Sequence, residues 1–393
     1  MTPPAAPAQA QAQAQAPAPA LALALAASDT GLDVVTGAFS YSGRAIAAAL
    51  TDAGRRVRTL TGHPGRAPEG SPLEVRLLDF DDQLGLVASL EGVTTLYNTY
   101  WVRFAHGRID HELAVANSRT LFWAAKRAGV QRIVHVSITH PSVDSPWPYF
   151  RGKALVERAL AEAEVPYAVL RPAILFGGDG VLLNNIAWLL RHLPVFAVGG
   201  RGDYRIRGIH VDDLAQLCVR KGAERDDSVI DAVGPERPTF VELVTSIRDV
   251  IGSHARIVPV PGAAVPLLSR LVGLALHDVL LTRDEYEAMA AGLADTQGPA
   301  TGTTALSEWL AAHRDDLGRR YANELERHFC GAGSHLADRA GRVQSTGVGR
   351  GGLLRGRVIS KNPGSWATTV MASQRRRAAS PCGAGAITGP LNP

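Results

Sequence analysis

The chain has 393 residues, close to half of them apolar, and a formal net charge of +4, which allows one large or two medium domains. The charge is lopsided: residues 331–393 hold nine Lys or Arg against the single acid Asp338, a net +8, so the remainder nets −4. A body of that sign argues against a nucleic-acid groove, and three scattered cysteines, Cys218, Cys330 and Cys382, argue against a disulfide framework or a metal site and for a reducing, cytoplasmic setting.

In chain order, residues 1–30 are Ala, Pro, Gln and Leu in near-repeats. No Lys or Arg precedes the LALALAA run, and the first basic residue is Arg44, so a disordered leader is expected rather than a secretory signal. From Asp33 short apolar runs alternate with helical patterns. Strands are predicted at 33–36, 56–61, 75–79, 94–98, 132–137 and 167–172, and helices at 43–53, 82–90, 112–128 and 149–163. That alternation predicts an α/β fold, a Rossmann-type doubly wound parallel sheet. After about residue 176 the pattern loosens. Helical segments at 181–193 and 240–251 predict a smaller C-terminal substrate lobe over the carboxyl ends of the strands, where such sheets bind ligands. The domain expectation is therefore a dinucleotide-binding domain over 31–262, a helical continuation of the lobe over 263–330, and a basic disordered tail over 331–393. The run from Ala263 to Leu281 is interrupted by Arg270 and His277. It predicts an amphipathic helix rather than a membrane span, packed on the body in preference to lying at a membrane interface.

Two segments carry chemistry. Thr36-Gly37-Ala38-Phe39-Ser40-Tyr41-Ser42-Gly43 follows a strand and opens a helix. Gly37 permits a tight turn, Gly43 allows close helix packing, and the helix N-terminus offers amides and a positive dipole end to a pyrophosphate. Phe39, Ser40, Tyr41 and Arg44 are the further candidates around a dinucleotide there. The second strand ends in Leu60-Thr61-Gly62-His63, with no acid to hold a ribose 2′-hydroxyl. Arg44 and Arg66 are basic candidates for a 2′-phosphate, so the cofactor expected is NADP or NAD, with a lean to NADP. Asp79 and Phe80, at the end of the third strand, are candidates to frame adenine, Asp79 equally for a helix cap.

The second segment holds Ser137, Thr139, Tyr149 and Lys153. Tyr149 and Lys153 are four apart on a predicted helix and share a face. A nearby ammonium favours a phenolate, which fits Tyr149 for acid-base work with Lys153 as its modulator. Ser137 or Thr139 is the candidate to orient a carbonyl or alcohol. Tyr100, Arg103 and Phe104 follow the fourth strand and are the expected substrate contacts. Trp101, Trp147 and Trp188 suit an apolar pocket or ordinary packing. His106, His111, His140 and His210 show no metal spacing, and Asp212 and Asp213 are expected to cap and orient a helix.

With TGAFSYSG (36–43), LLDFDD (77–82), NSRTLFWAAKRAGVQRIVHVS (117–137), YFRGK (149–153), LRPAILFG (170–177) and IHVDDLA (209–215), the chain resembles the short-chain dehydrogenase/reductase superfamily. The likeness is to its extended or atypical branch of sugar-nucleotide epimerases and NmrA-like proteins, over roughly residues 31–260. The resemblance implies Tyr149 as acid-base, Lys153 as modulator, Thr139 or Ser137 as orienting hydroxyl, and Asn98, Asn117 and Pro172 near the cofactor. Ser40 stands where the family has its middle glycine, and Ile174 where it has an asparagine. The proline-bearing loop with Pro141, Pro146 and Pro148 leaves less room for a nucleotide-sugar. The implied function is an NAD(P)-dependent oxidoreductase or epimerase acting on a small molecule. The alternative is a non-catalytic dinucleotide-binding sensor or scaffold, like NmrA-like regulators or the accessory subunit of respiratory complex I. A homodimer is left open as the partner.

Overall fold

The computed structural model describes residues 31–105 and 109–325. The expected leader, the basic tail, His106, Cys330 and Cys382 lie outside the described residues.

Seven parallel strands form the main sheet in the order β10-β6-β5-β4-β1-β2-β3. They are β1 (Leu32–Thr36), β2 (Arg56–Thr61), β3 (Glu74–Leu77), β4 (Val93–Asn98), β5 (Arg132–Val136), β6 (Tyr167–Pro172) and β10 (Ser228–Ala232). β1 and β5 are buried along their whole length, as strands covered on both faces must be. On one face lie α1 (Tyr41–Asp52) and α6 (Val211–Ala223), which bury Ile46, Leu50, Leu214 and Cys218 against the sheet. On the other lie α2 (Gln83–Leu90), α3 (His111–Arg127) and α4 (Pro148–Glu162), with Leu86, Leu121, Phe122, Val156 and Leu160 inside. The doubly wound parallel sheet expected from the alternation is the observed fold.

β1 lies between β2 and β4, so the chain winds outward in opposite directions from β1 and β4. The crevice at their carboxyl ends is the switch point where such sheets bind ligands. A chain of polar contacts fastens it. The Thr36 hydroxyl donates to Asn98 Oδ1 (3.2 Å), and the Thr99 amide and hydroxyl return to the Thr36 hydroxyl and carbonyl (2.8 and 2.6 Å).

The lobe is interleaved with the sheet rather than appended to it. β7 (Ile174–Phe176) pairs with β9 (Gly208–His210), and β8 (Val195–Gly199) with β11 (Arg256–Val260), both parallel. The strand β10, which closes the sheet edge beside β6, comes after β7, β8 and β9 and was not expected from the sequence. Its sequence, SVIDA, alternates too briefly to stand out. α5 (Val181–His192), α7 (Phe240–Val250), α8 (Val265–Leu276), α9 (Arg283–Ala290) and α10 (Leu306–Ala312) complete the lobe. Its own core holds Leu183, Ile186, Leu190, Leu243, Ile247 and Trp309.

Candidate functional site

The glycine turn is built by conformations that other residues resist. Gly37 has φ +65°, a left-handed conformation. A Cβ on Gly43 would lie 2.2 Å from the Gly37 carbonyl oxygen, so only glycine lets α1 start this close to the turn. Ser40 is the N-cap of α1, yet its hydroxyl donates back to the Gly37 carbonyl (2.6 Å) and caps no amide. The first-turn amides of α1 therefore keep no side-chain cap, at the end where the helix dipole is positive. That arrangement fits a pyrophosphate, and the serine in the middle-glycine position does not block it: its side chain is folded into the turn.

The residues flanking the turn reach to the far side of the crevice. The Tyr41 hydroxyl donates to the Gly177 carbonyl (2.7 Å), and Arg44 pairs with Asp179. The loop 177–180 thus stands against the start of α1, a contact between residues some 135 apart that spacing cannot show. Arg66 sits in the short 3₁₀ turn Pro64–Arg66 just past β2. Asp79 accepts the Asp81 amide, and the cap of α2 is Asp82 instead. Phe80 packs against Tyr100 at 4.9 Å between ring centres.

Asn98 is fully buried and used within the protein. Its carbonyl accepts from Thr36 and from the Tyr100 amide, and its amide meets His135 Nδ1 at 3.1 Å. It braces the carboxyl ends of β1, β4 and β5 rather than facing the crevice. Burial, with Lys153 adding to it, holds His135 well below the usual imidazole range. Pro172, buried at the end of β6, accepts the Thr139 amide through its carbonyl. Asn117 donates to the Tyr100 hydroxyl (2.8 Å).

The candidate acid-base pair, Tyr149 and Lys153, stands on the first two turns of α4, against the carboxyl end of β5. Lys153 is buried, and its ammonium donates to the Val136 carbonyl (2.9 Å). The indole of Trp101 covers it at 4.6 Å from ring centre to Nζ. Burial lowers its pKa to about 7. Tyr149, one turn earlier, is half-buried and meets Trp101 and His111 edge-on at 5.6 and 5.7 Å. Its hydroxyl has no hydrogen-bond partner among the described residues. Burial pushes its phenol up, and Glu285 adds to this. Trp101 packs so closely on α4 that a Cβ on Gly152 would come within 2.7 Å of its ring. The indole thus touches both members of the pair.

The two candidate orienting hydroxyls are engaged elsewhere. Ser137 donates to Glu157, which also holds Arg171 through both carboxylate oxygens. Thr139 donates to the Leu293 carbonyl (2.7 Å) and ties the lobe to the sheet. Neither lines the cavity beside Tyr149.

That cavity measures about 1680 Å³ and lies between the strand ends and the lobe. Tyr149, Trp147, Phe104 and Ile138 line it from the sheet side, and Tyr286 and Leu280 from the lobe. Most of its wall is apolar. Charged side chains line it as well, Asp110, Glu112, Arg119, Arg151 and Asp284 among them, and Arg103 there bridges Glu285 (2.8 Å) and Glu324 (3.1 Å). Of the three expected substrate contacts, Arg103 and Phe104 reach the cavity and Tyr100 does not. Trp147 lines it, Trp101 packs on α4, and Trp188 stacks on His192. His111 also lines it, whereas His140 meets the Asp295 carbonyl. His210, not Asp212, caps α6, and Asp213 accepts the Thr303 and Thr304 amides. Glu285 and Glu324 carried no signal in the sequence; 182 residues separate Arg103 from Glu285. Among the described residues no cluster of His, Cys, Asp or Glu could hold a metal ion.

Residues 37–186 match the family model described as NAD(P)H-binding. With the sheet order and the turn geometry, that stretch is an NAD(P)H-binding domain on a doubly wound parallel sheet. The fold is shared with triphenylmethane reductase of Citrobacter sp. (TM-score 0.61, 18% identity, 72% of this chain and 99% of that one). It is shared equally with an NADPH-dependent quinone oxidoreductase of Escherichia coli solved with NADPH (TM-score 0.59, 22% identity, the same coverage). Among curated proteins, the chain is 26% identical over 248 residues to Arabidopsis thaliana NADH dehydrogenase (ubiquinone) 1 alpha subcomplex subunit 9, mitochondrial. That match covers 58% of this chain and 60% of the subunit, and the mouse protein of the same name is covered over 45% of its length.

Proposed function

We propose that the protein is an NAD(P)H-dependent oxidoreductase acting on a largely apolar carbonyl or hydroxyl compound, with Tyr149 as the acid-base group. The observation that carries this is the placement of Tyr149. It is a half-buried phenol without a partner among the described residues, at the wall of a large apolar cavity and one turn from Lys153. A nicotinamide, when bound, supplies the hydride. The phenol donates its proton to the oxygen on which charge develops, and the apolar wall excludes water. The dinucleotide is held at the Gly37–Gly43 turn and α1, with Phe39 and Ser40 beside the phosphates, while Lys153 stays buried behind Tyr149 on the Val136 carbonyl. Arg44 and Arg66 are the residues at hand for a 2′-phosphate, and NADPH is the preferred form. A reducing, cytoplasmic setting suits the buried free thiol of Cys218.

A second reading is favoured by a specific observation. Lys153 is bonded to a carbonyl under Trp101, Ser137 and Thr139 are engaged, and the curated relatives are named as subunits of NADH dehydrogenase. A dinucleotide-binding subunit or sensor without turnover fits those facts. Tyr149→Phe decides between the two. In NADPH oxidation with apolar quinones, ketones and aldehydes, the enzyme should lose about 10²–10⁴-fold in kcat and keep its NADPH affinity. Protein that binds NADPH, turns over none of these compounds and is indifferent to Tyr149→Phe would establish the second reading.

A further inference from the structure

Helix α8 has two apolar faces, and only one is covered. Val265, Ser269 and Val272 close the cavity. On the other side Leu267, Leu271 and Leu274 are 61%, 56% and 66% exposed. Their spacing of four and three puts them on one stripe. The cavity mouth continues that stripe, because Leu193, Val195, Val258 and Leu268 line the cavity and are exposed at the same time. An apolar patch of this extent marks an interaction surface.

The charge around it names the partner. The stripe and the rim beside it, on β8, β11 and α8, draw on residues 180–202 and 250–277, which contain no acid; the exposed acids that line the cavity, Asp110, Glu112 and Asp284, come from the segments 110–112 and 283–290. The two acid-free stretches contain Arg191, Arg201, Arg256 and Arg270. Arg191 turns inward onto the Leu317 and Arg314 carbonyls, whereas Arg201, Arg256 and Arg270 are exposed. Arg256 stands opposite Val195 in the β8–β11 register, beside the mouth. A second copy of this chain would set these arginines against each other across a two-fold interface. An anionic lipid surface satisfies both the leucines and the arginines. No helix among the described residues is long and apolar enough to cross a membrane, and twelve residues of α8 suffice only to lie in the plane of one.

We propose that α8 and the rim seat the cavity mouth on the surface of an anionic phospholipid bilayer, α8 lying among the headgroups with Leu267, Leu271 and Leu274 in the acyl boundary. This goes beyond the proposed reaction and is independent of turnover. The test is sedimentation of the full chain with phosphatidylcholine vesicles, with and without phosphatidylglycerol. Binding should require or strongly favour phosphatidylglycerol and weaken with salt. The triple variant Leu267→Glu, Leu271→Glu, Leu274→Glu should lose about tenfold or more in partitioning, and Arg256→Ala with Arg270→Ala should lose the phosphatidylglycerol dependence. NADPH affinity should be unchanged in both. If the triple variant does not fold, Leu271→Glu alone takes its place. Wild-type protein that stays in the supernatant with anionic vesicles overturns the proposal. So does a variant that binds equally well, or a wild-type dimer that the leucine substitutions dissociate.

Discussion

Lys153 shows how a residue can be placed by its sequence spacing and still surprise in its chemistry. The four-residue step from Tyr149 puts both on one face of α4, as expected. The ammonium then turns to the Val136 carbonyl and the Trp101 ring, partners that arrive from β5 and from the loop after β4. Burial holds its pKa at about 7 against an ordinary 10.5. Between those values the unfolded chain carries the proton and the folded one does not, so stability from this group rises with pH across that window. Wild-type protein is therefore expected to gain about 2–3 kcal/mol from Lys153 between pH 7 and 9.5. Lys153→Met should remove that slope in urea unfolding followed at the two pH values. Ser137 and Thr139 teach the same lesson from the other side. Their positions after β5 were legible, but Glu157 and the Leu293 carbonyl, which take up their hydroxyls, come from other elements.

At the scale of elements, the glycine turn and α1 were the most legible part of the chain. The strand, the turn and the helix start all follow from local patterns, and the structure moves the helix start only from Gly43 to Tyr41. What makes the turn specific is the contact of Gly43 with the Gly37 carbonyl. Gly43→Ala must push α1 off the turn, since the obstacle is backbone. The expected cost is about 1–3 kcal/mol of stability, with NADPH affinity falling tenfold or more; urea unfolding and fluorescence titration read the two. β10 and the short ribbons β7–β9 and β8–β11 were not legible. They lie outside the regular strand-helix alternation that marked β1 to β6, and their partners lie far along the chain.

The whole molecule is held together across the cavity by a charge cluster that no local pattern announces. Arg103, from the loop after β4, clamps Glu285 and Glu324 of the lobe. Arg103→Met leaves two half-buried to buried carboxylates facing each other without their cation. Removing one partner of such a cluster typically costs about 3–5 kcal/mol. The expected outcome is a lobe that opens ahead of the sheet. Hydrogen exchange should rise in α9 and around Glu324 before it rises in β1, β4 and β5. Uniform exchange across lobe and sheet would show that Arg103 does not couple them.

The sequence by itself determined the parallel sheet, the dinucleotide turn and the helix that carries Tyr149 and Lys153. Each rests on period, glycine position and residue type within one local stretch. Only the tertiary structure decided which groups those residues meet. The lobe is built from segments both between β6 and β10 and after β10, and Glu285, Leu293 and α8, from the latter, reach the strand ends from more than a hundred residues away. Burial, unlike periodicity, is a property of that whole arrangement. It set the pKa of Lys153, occupied Ser137 and Thr139, and left one face of α8 uncovered.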